Sequence, residues 1–231
     1  MTATISSQSA GYRWKEFVSD RHGSTTRPPD SRLASPRIPR TLYLVMENAT
    51  AAWTEEELMA LPKDGFKREL IEGEIIMSPA GYRHERIVAV LLSAMLPHAT
   101  KHRLGVVCGS GLGCWMTSGN LLSPDVSFIA KSRLATTAVE REKYLRGSPD
   151  LVVEVLSPWD RSTRLHEKLA DYFSSGARLI WIINPAERNA LVYRTPEADR
   201  FLRVTDTLDG EDVLPGFRLP LAELFAELSF E

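Results

Sequence analysis

Cysteine is scarce, with two residues in a chain of 231, which excludes a disulfide framework. Both thiols, Cys108 and Cys114, lie in one apolar, glycine-rich stretch and read as reduced, so the expected compartment is the cytoplasm. No run of apolar residues reaches the ~18–20 that a membrane span needs, so no membrane partner is expected. The first residues lack the charged-then-apolar pattern of a secretory leader. There is no excess of positive charge, and a net charge of −2 argues against strong indiscriminate binding to phosphate backbones by the body of the protein. Gly109-Ser110-Gly111-Leu112-Gly113 is not a dinucleotide fingerprint, because Cys114 and Met116 stand where glycines would be required. Ser157 has only His166 within useful reach, which argues against a serine nucleophile. There is no internal repeat. What remains, 43% hydrophobic and 25% charged, is the composition of one ordinary globular core.

Charge is unevenly distributed. Residues 1–45 hold seven Lys or Arg against three Asp or Glu, a net of +4, so the remainder is −6, since the whole is −2. The first forty residues are rich in Ser, Arg, Pro and Gly, without helical or strand periodicity. The expected organisation is a disordered basic arm over 1–45 and a single domain over 46–231. The break in composition also makes Met46 a candidate translation start.

Within the domain, Thr54 and Glu57 form a capping-box pair that predicts a helix over 54–61, ending near Pro62. Residues 67–77 read as a hairpin turning at Glu72-Gly73. Apolar residues from Ile87 to Leu96 predict a helix over 84–98 with a broad buried face. Strand-like runs cover 104–108, 112–117, 124–130 and 149–157, and the last is almost continuously apolar, as in a strand covered on both faces. A helix is expected over 161–175, capped by Asp160, stopped at Gly176 and striped by Leu165, Leu169, Tyr172 and Phe173. A buried strand over 179–183 completes a βαβ unit with a parallel pair. A closing hairpin over 189–204 and a short helix within 215–228 end the chain.

Glu154 is the residue that most demands explanation. It is the only charged side chain between Asp150 and Asp160, and it sits among Val152, Val153, Val155 and Leu156. A buried carboxylate without compensation costs several kcal/mol or shifts its pKa. A metal cation would compensate it; so would a structural ion pair with Lys or Arg. Asp125, directly after Pro124, opens another strand and can meet Glu154 if the two strands lie side by side; otherwise it is a turn aspartate. Two such carboxylates suit a hard cation such as Mg²⁺ or Mn²⁺. Lys168 flanks the buried stripe of the following helix and could bring an ammonium to the same place, or it could run over the surface.

Glu69 could add a carboxylate ligand or orient a water, or pair with Arg68 or Lys67 on its hairpin. His84 could be a general base, could steer a ligand, or could serve a structural hydrogen bond at a helix start. Asp150, at its strand end, reads as structural. His98 and His102, spaced i,i+4 near the end of a helix, read as solvent-exposed and not as a metal pair.

Three ordered stretches then point to a family. They are Arg68-Glu69-Leu70-Ile71-Glu72-Gly73-Glu74 followed by His84; Ser123-Pro124-Asp125-Val126-Ser127-Phe128; and Ser148-Pro149-Asp150-Leu151-Val152-Val153-Glu154-Val155-Leu156-Ser157-Pro158, with Glu167-Lys168-Leu169-Ala170-Asp171-Tyr172 beyond it. Together, over roughly 53–228, they resemble the Uma-type "putative restriction endonuclease" family of the PD-(D/E)XK nuclease superfamily. The resemblance implies an α/β (α+β) restriction-endonuclease-like core, a mixed central sheet flanked by helices. It implies Asp125 and Glu154 as catalytic and metal-binding carboxylates. The superfamily's lysine would fall at position 156, which is Leu156 here; the resemblance implies its transfer to Lys168. The expected function is metal-dependent endonucleolytic hydrolysis of nucleic acid, DNA before RNA, by a homodimer. Leu156 keeps open an alternative: a binding or interaction module with the same fold and no cleavage.

Overall fold

The computed structural model describes residues 13–16, 44–47, 53–61, 67–77, 80–136, 143–157 and 162–226. Two short strands come first, β1 (Arg13–Glu16) and β2 (Leu44–Glu47), paired antiparallel. The rest of the expected arm lies outside the described residues, as do Pro62 and the Asp160 cap. Helix α1 (Glu55–Met59) begins at the capping box read from the sequence. The Thr54 hydroxyl accepts from the Glu57 N–H, and the Glu57 carboxylate accepts from the Thr54 N–H.

Strands β3 (Arg68–Ile71) and β4 (Glu74–Met77) form the expected hairpin. Its turn holds Glu72 at φ 52° and Gly73 at φ 83°, the pair of left-handed conformations that matches the twist of the flanking strands. Gly73 takes this conformation freely; Glu72 is held there by its N–H, which donates to Asn120 Oδ1 at 2.9 Å. Helix α2 (Tyr82–Lys101) buries Ile87, Val88, Leu91, Met95 and Ala99. It runs a turn longer than its apolar pattern indicates, carrying Pro97 on its exposed side and leaving Leu96 in solvent.

Strands β5 (Gly105–Gly109), β6 (Cys114–Trp115), β7 (Leu121–Leu122) and β8 (Val126–Ala130) follow. Helix α3 (Lys131–Thr136) and strand β9 (Leu145–Arg146) lead to the central strand β10 (Leu151–Val155). Helix α4 (Ser162–Ser174) then crosses to β11 (Leu179–Asn184). The predicted βαβ unit is there: β10 and β11 are parallel, with Glu154 paired to Ile182. A hairpin of β12 (Asn189–Tyr193) and β13 (Ala198–Leu202) packs on β11. Strands β14 (Thr207–Asp209) and β15 (Arg218–Pro220) and the short helix α5 (Leu221–Leu224) close the described chain.

Six strands form the central mixed sheet in the order β13-β12-β11-β10-β8-β5. Alternation along β10 divides its side chains between two cores. Leu151, Val153 and Val155 join Val126, Phe128, the α2 stripe and Leu221 and Leu224 of α5. Val152 joins Ile129, Ile180, Ile182 and the Leu169 and Tyr172 of α4. The resemblance implies a mixed sheet flanked by helices; the structure adds a second sheet, ordered β1-β2-β4-β3-β7-β6-β9, beside α4. Its inner face supplies Ile71, Ile76, Cys114 and Leu122 to the α4-side core, and its outer face packs Leu70, Ile75, Met77 and Leu121 against Trp53 and Leu58. Each apolar side chain fully buried in these layers contributes about 1.5–3 kcal/mol, so both faces of β10 are strongly specified.

Gly105 marks where edge strand β5 meets β8. A Cβ there would collide with the Ile129 carbonyl and reach the Phe128 ring at 2.8 Å. Gly105→Ala is therefore expected to cost about 1–3 kcal/mol, read as a lower urea midpoint with unchanged slope.

Candidate active site

Strand pairing creates the site. Strand β8 runs antiparallel to β10, with Val126 opposite Val153, and the Asp125 N–H donates to the Val153 carbonyl at 3.1 Å. The register places Asp125 beside Glu154, and alternation turns both toward α4, away from the α2 side taken by Val126 and Val153. The two strands do lie side by side, as the pairing of these carboxylates requires. Glu69 reaches the same space from the second sheet, because it shares the inward face of the hairpin with Ile71 and Ile76. All three carboxylates are buried: Asp125 is 2% exposed, Glu154 7% and Glu69 8%.

Each carboxylate has its own partners. Asp125 Oδ1 accepts from Lys67 Nζ at 2.8 Å. Its Oδ2 accepts from the Val155 N–H at 2.8 Å and lies 3.0 Å from His84 Nε2. Glu69 accepts from the Ser123 N–H at 3.0 Å and receives the Lys168 ammonium on both oxygens, at 2.9 and 2.8 Å. Glu154 Oε1 accepts from the Tyr172 hydroxyl at 2.6 Å, with Lys168 Nζ 3.7 Å away. Lys168 thus bridges Glu69 and Glu154, and the hairpin partner imagined for Glu69 turns out to come from α4.

The electrostatics separate the three acids. Burial would raise the Asp125 carboxyl, but the Lys67 ammonium and the His84 hydrogen bond outweigh it and hold Asp125 well below the usual carboxylate range. Glu69 is also lowered, because Lys168 and Lys67 overcome its burial. Glu154 goes the other way: burial, reinforced by Asp125 and Glu69, exceeds what Lys168 and Lys67 offset, and its pKa is raised. Both lysines are raised, since the surrounding carboxylates outweigh the cost of burying an ammonium. His84 is raised as well: burial opposes the charge, and the hydrogen bond and charge of Asp125 prevail. Of the three acids, Glu154 is thus the one whose charged form its surroundings disfavour, because burial outweighs the nearby ammonium groups.

The five site residues read from the sequence, Asp125, Glu154, Lys168, Glu69 and His84, therefore converge. Lys67 and Tyr172 were read otherwise, as a hairpin charge and as part of an apolar stripe. Alternation gives the signal for Lys67: it stands two residues before Glu69 and so on the same inward face. Tyr172 lies four residues beyond Lys168, one helical turn along the same side of α4. Asp150 is structural as expected, accepting from the Ala130 N–H at 2.9 Å. His98 departs from its expected exposure; it is half-buried, 3.0 Å from the Pro215 carbonyl and edge-on to Phe217. Both cysteines are free, and burial pushes the Cys114 thiol up to about 12.

The mixed central sheet with helices packed against it agrees with the restriction-endonuclease-like core expected from the sequence. The chain belongs to the Uma2 family, described as "Putative restriction endonuclease", whose profile matches residues 55–222. Among solved structures it is similar in fold to a protein from Anabaena variabilis titled a "putative nuclease belonging to DUF820". That likeness has a TM-score of 0.64 and 24% identity, and covers 75% of this chain and 97% of the other. No curated protein matches the sequence. No described helix is long and apolar enough to cross a membrane.

Two outcomes follow from this geometry. Tyr172→Phe removes a hydrogen bond to the buried Glu154 carboxyl group, and an expected loss of roughly 1–3 kcal/mol is measurable by urea unfolding. Asp125 and Glu69 have folded pKa values below their unfolded ones. Their stabilisation is therefore full above about pH 4 and is lost as pH falls toward the folded values. Asp125→Asn should flatten that acid-side loss in melting temperatures taken from pH 7 to pH 2.5.

Proposed function

We propose that the protein is a Mg²⁺- or Mn²⁺-dependent endonuclease that hydrolyses phosphodiester bonds of nucleic acid, DNA above all. The observation that carries this reading is the meeting of Asp125 and Glu154 on neighbouring strands of the central sheet, with Lys168 3.7 Å from Glu154. The donor set suits a hard divalent cation: buried carboxylate oxygens, one of them on Glu154, whose charged form burial disfavours and a further cation would favour. Among the described residues no three His, Cys, Asp or Glu form a ready-made ion cage; the ammonium groups of Lys67 and Lys168 stand among the carboxylates. Asp125 and Glu154 would hold the ion. A divalent cation there supplies Lewis acidity toward a phosphoryl oxygen and toward water.

The chain's own groups do the rest. The Val155 N–H and His84 fix the plane of the Asp125 carboxylate. Tyr172 engages Oε1 of Glu154 and so orients that carboxylate. Glu69 holds the Lys168 ammonium at the edge of the site, where it can stabilise negative charge developing on phosphorus-bound oxygens. The basic residues of 1–45 offer sequence-independent contacts to the backbone, offsetting the acidic body. The reading includes a homodimer, which gives one site per strand of a duplex, and a cytoplasmic location, which suits two free thiols.

The test is cleavage of supercoiled plasmid with Mg²⁺ or Mn²⁺ by wild type, Asp125→Ala and Glu154→Ala, each checked for folding by circular dichroism. Wild type should nick or linearise the plasmid. Both variants should lose at least about a hundredfold, the scale of removing a principal electrostatic contact to a transition state. A folded wild type inert on DNA and RNA would instead favour the binding-module reading, to which Leu156 at the usual lysine position lends its support.

A further inference from the structure

We infer that Lys67 is a tethered counter-ion that holds the cation's place at Asp125, so that a divalent metal binds only by displacing its ammonium. The inference rests on the metal-site reading above and goes beyond it. Asp125 offers two oxygens. Oδ2 is already committed to the Val155 N–H and to His84, and both are anchored, one in the central sheet and the other in the first turn of α2. Oδ1 is the oxygen with acceptor capacity left for an incoming ion, and Lys67 Nζ stands against it at 2.8 Å.

Lys67 is also the cation best placed to leave. Its side chain is 23% exposed, a little above the 17% of Lys168, and it stands immediately before β3, outside the paired strand. Lys168 is the contrast: it is held by both oxygens of Glu69, and its backbone lies within α4. The Lys67 ammonium interacts with all three acids, Glu154, Glu69 and Asp125, which are the charges a divalent cation would meet. Two positive centres cannot share that position at contact distance, so ion and ammonium exclude each other. The exchange lets the protein fold without metal while keeping three acids buried together, and it weakens metal affinity by the free energy needed to release the ammonium.

The test uses the full chain and Mn²⁺ alone as probe, without nucleic acid. Wild type, Lys67→Met and Lys67→Arg are titrated calorimetrically, and their melting temperatures are taken in chelator and in saturating Mn²⁺. Lys67→Met should melt several degrees lower in chelator, recover with Mn²⁺, and bind Mn²⁺ at least about tenfold more tightly than wild type, which is about 1.4 kcal/mol. Lys67→Arg, which keeps the charge, should stay near wild type. Equal or weaker binding by a folded Lys67→Met, beside clear binding by wild type, overturns the inference and leaves the metal site standing. Absence of binding by both proteins overturns both.

A measurement on wild type covers the case in which Lys67→Met does not fold. Acetylation of Lys67 by an N-hydroxysuccinimide ester, followed by peptide mass spectrometry, should rise several-fold on saturation with Mn²⁺. An unchanged or reduced rate also overturns the inference.

Discussion

Three buried carboxylates on one side of a sheet are the constraint that organises this protein. Asp125, Glu154 and Glu69 could not be packed there without positive charge close by. The chain meets that requirement from three places: Lys67 before one strand, Lys168 on a crossover helix, and peptide N–H groups at Ser123 and Val155. Removing one partner of such a network leaves another charge buried and uncompensated. Fold and site are thus coupled, and the register of β8 on β10, the packing of α4 and the inward face of the β3–β4 hairpin serve both.

Much of this was legible in the sequence because it is local. The Thr54–Glu57 cap, the Glu72-Gly73 turn, the stripe of α4 and the apolar run of β10 each lie within a few residues of their cause. Glu154 could be singled out because a lone charge in a continuous apolar strand violates the pattern around it. Asp125 and Lys168 followed from strand pairing and the helix stripe, the family resemblance implied the same residues, Glu69 and His84 joined them as further candidates, and the structure brings these five residues together.

What was not legible is long-range. Lys67 and Asp125 are 58 residues apart, and Lys168 and Glu69 are 99 apart. Alternation puts Lys67 on the inward face with Glu69, two residues away, but does not indicate that the acid it serves is Asp125. The second sheet was missed for a related reason. Three of its strands, β6, β7 and β9, are two residues long, too short for a period to register. Tyr172 was read correctly as buried, but burial of its ring does not reveal where its hydroxyl finds an acceptor.

The site straddles a seam. Asp125 and Glu154 belong to the central sheet, Glu69 to the second sheet, and Lys168 to the helix wedged beside it. Small polar clasps cross the same seam: Asn120 joins the hairpin turn to Asp171 of α4, and Ser175 joins the end of α4 to Thr117. The apolar layer of Ile71, Ile76, Val152 and Leu169 sets the spacing between the two halves. That layer therefore acts as a shim. A change of one methylene there would alter the gap across which the charged groups meet, and the chemistry could be tuned by residues that never touch it.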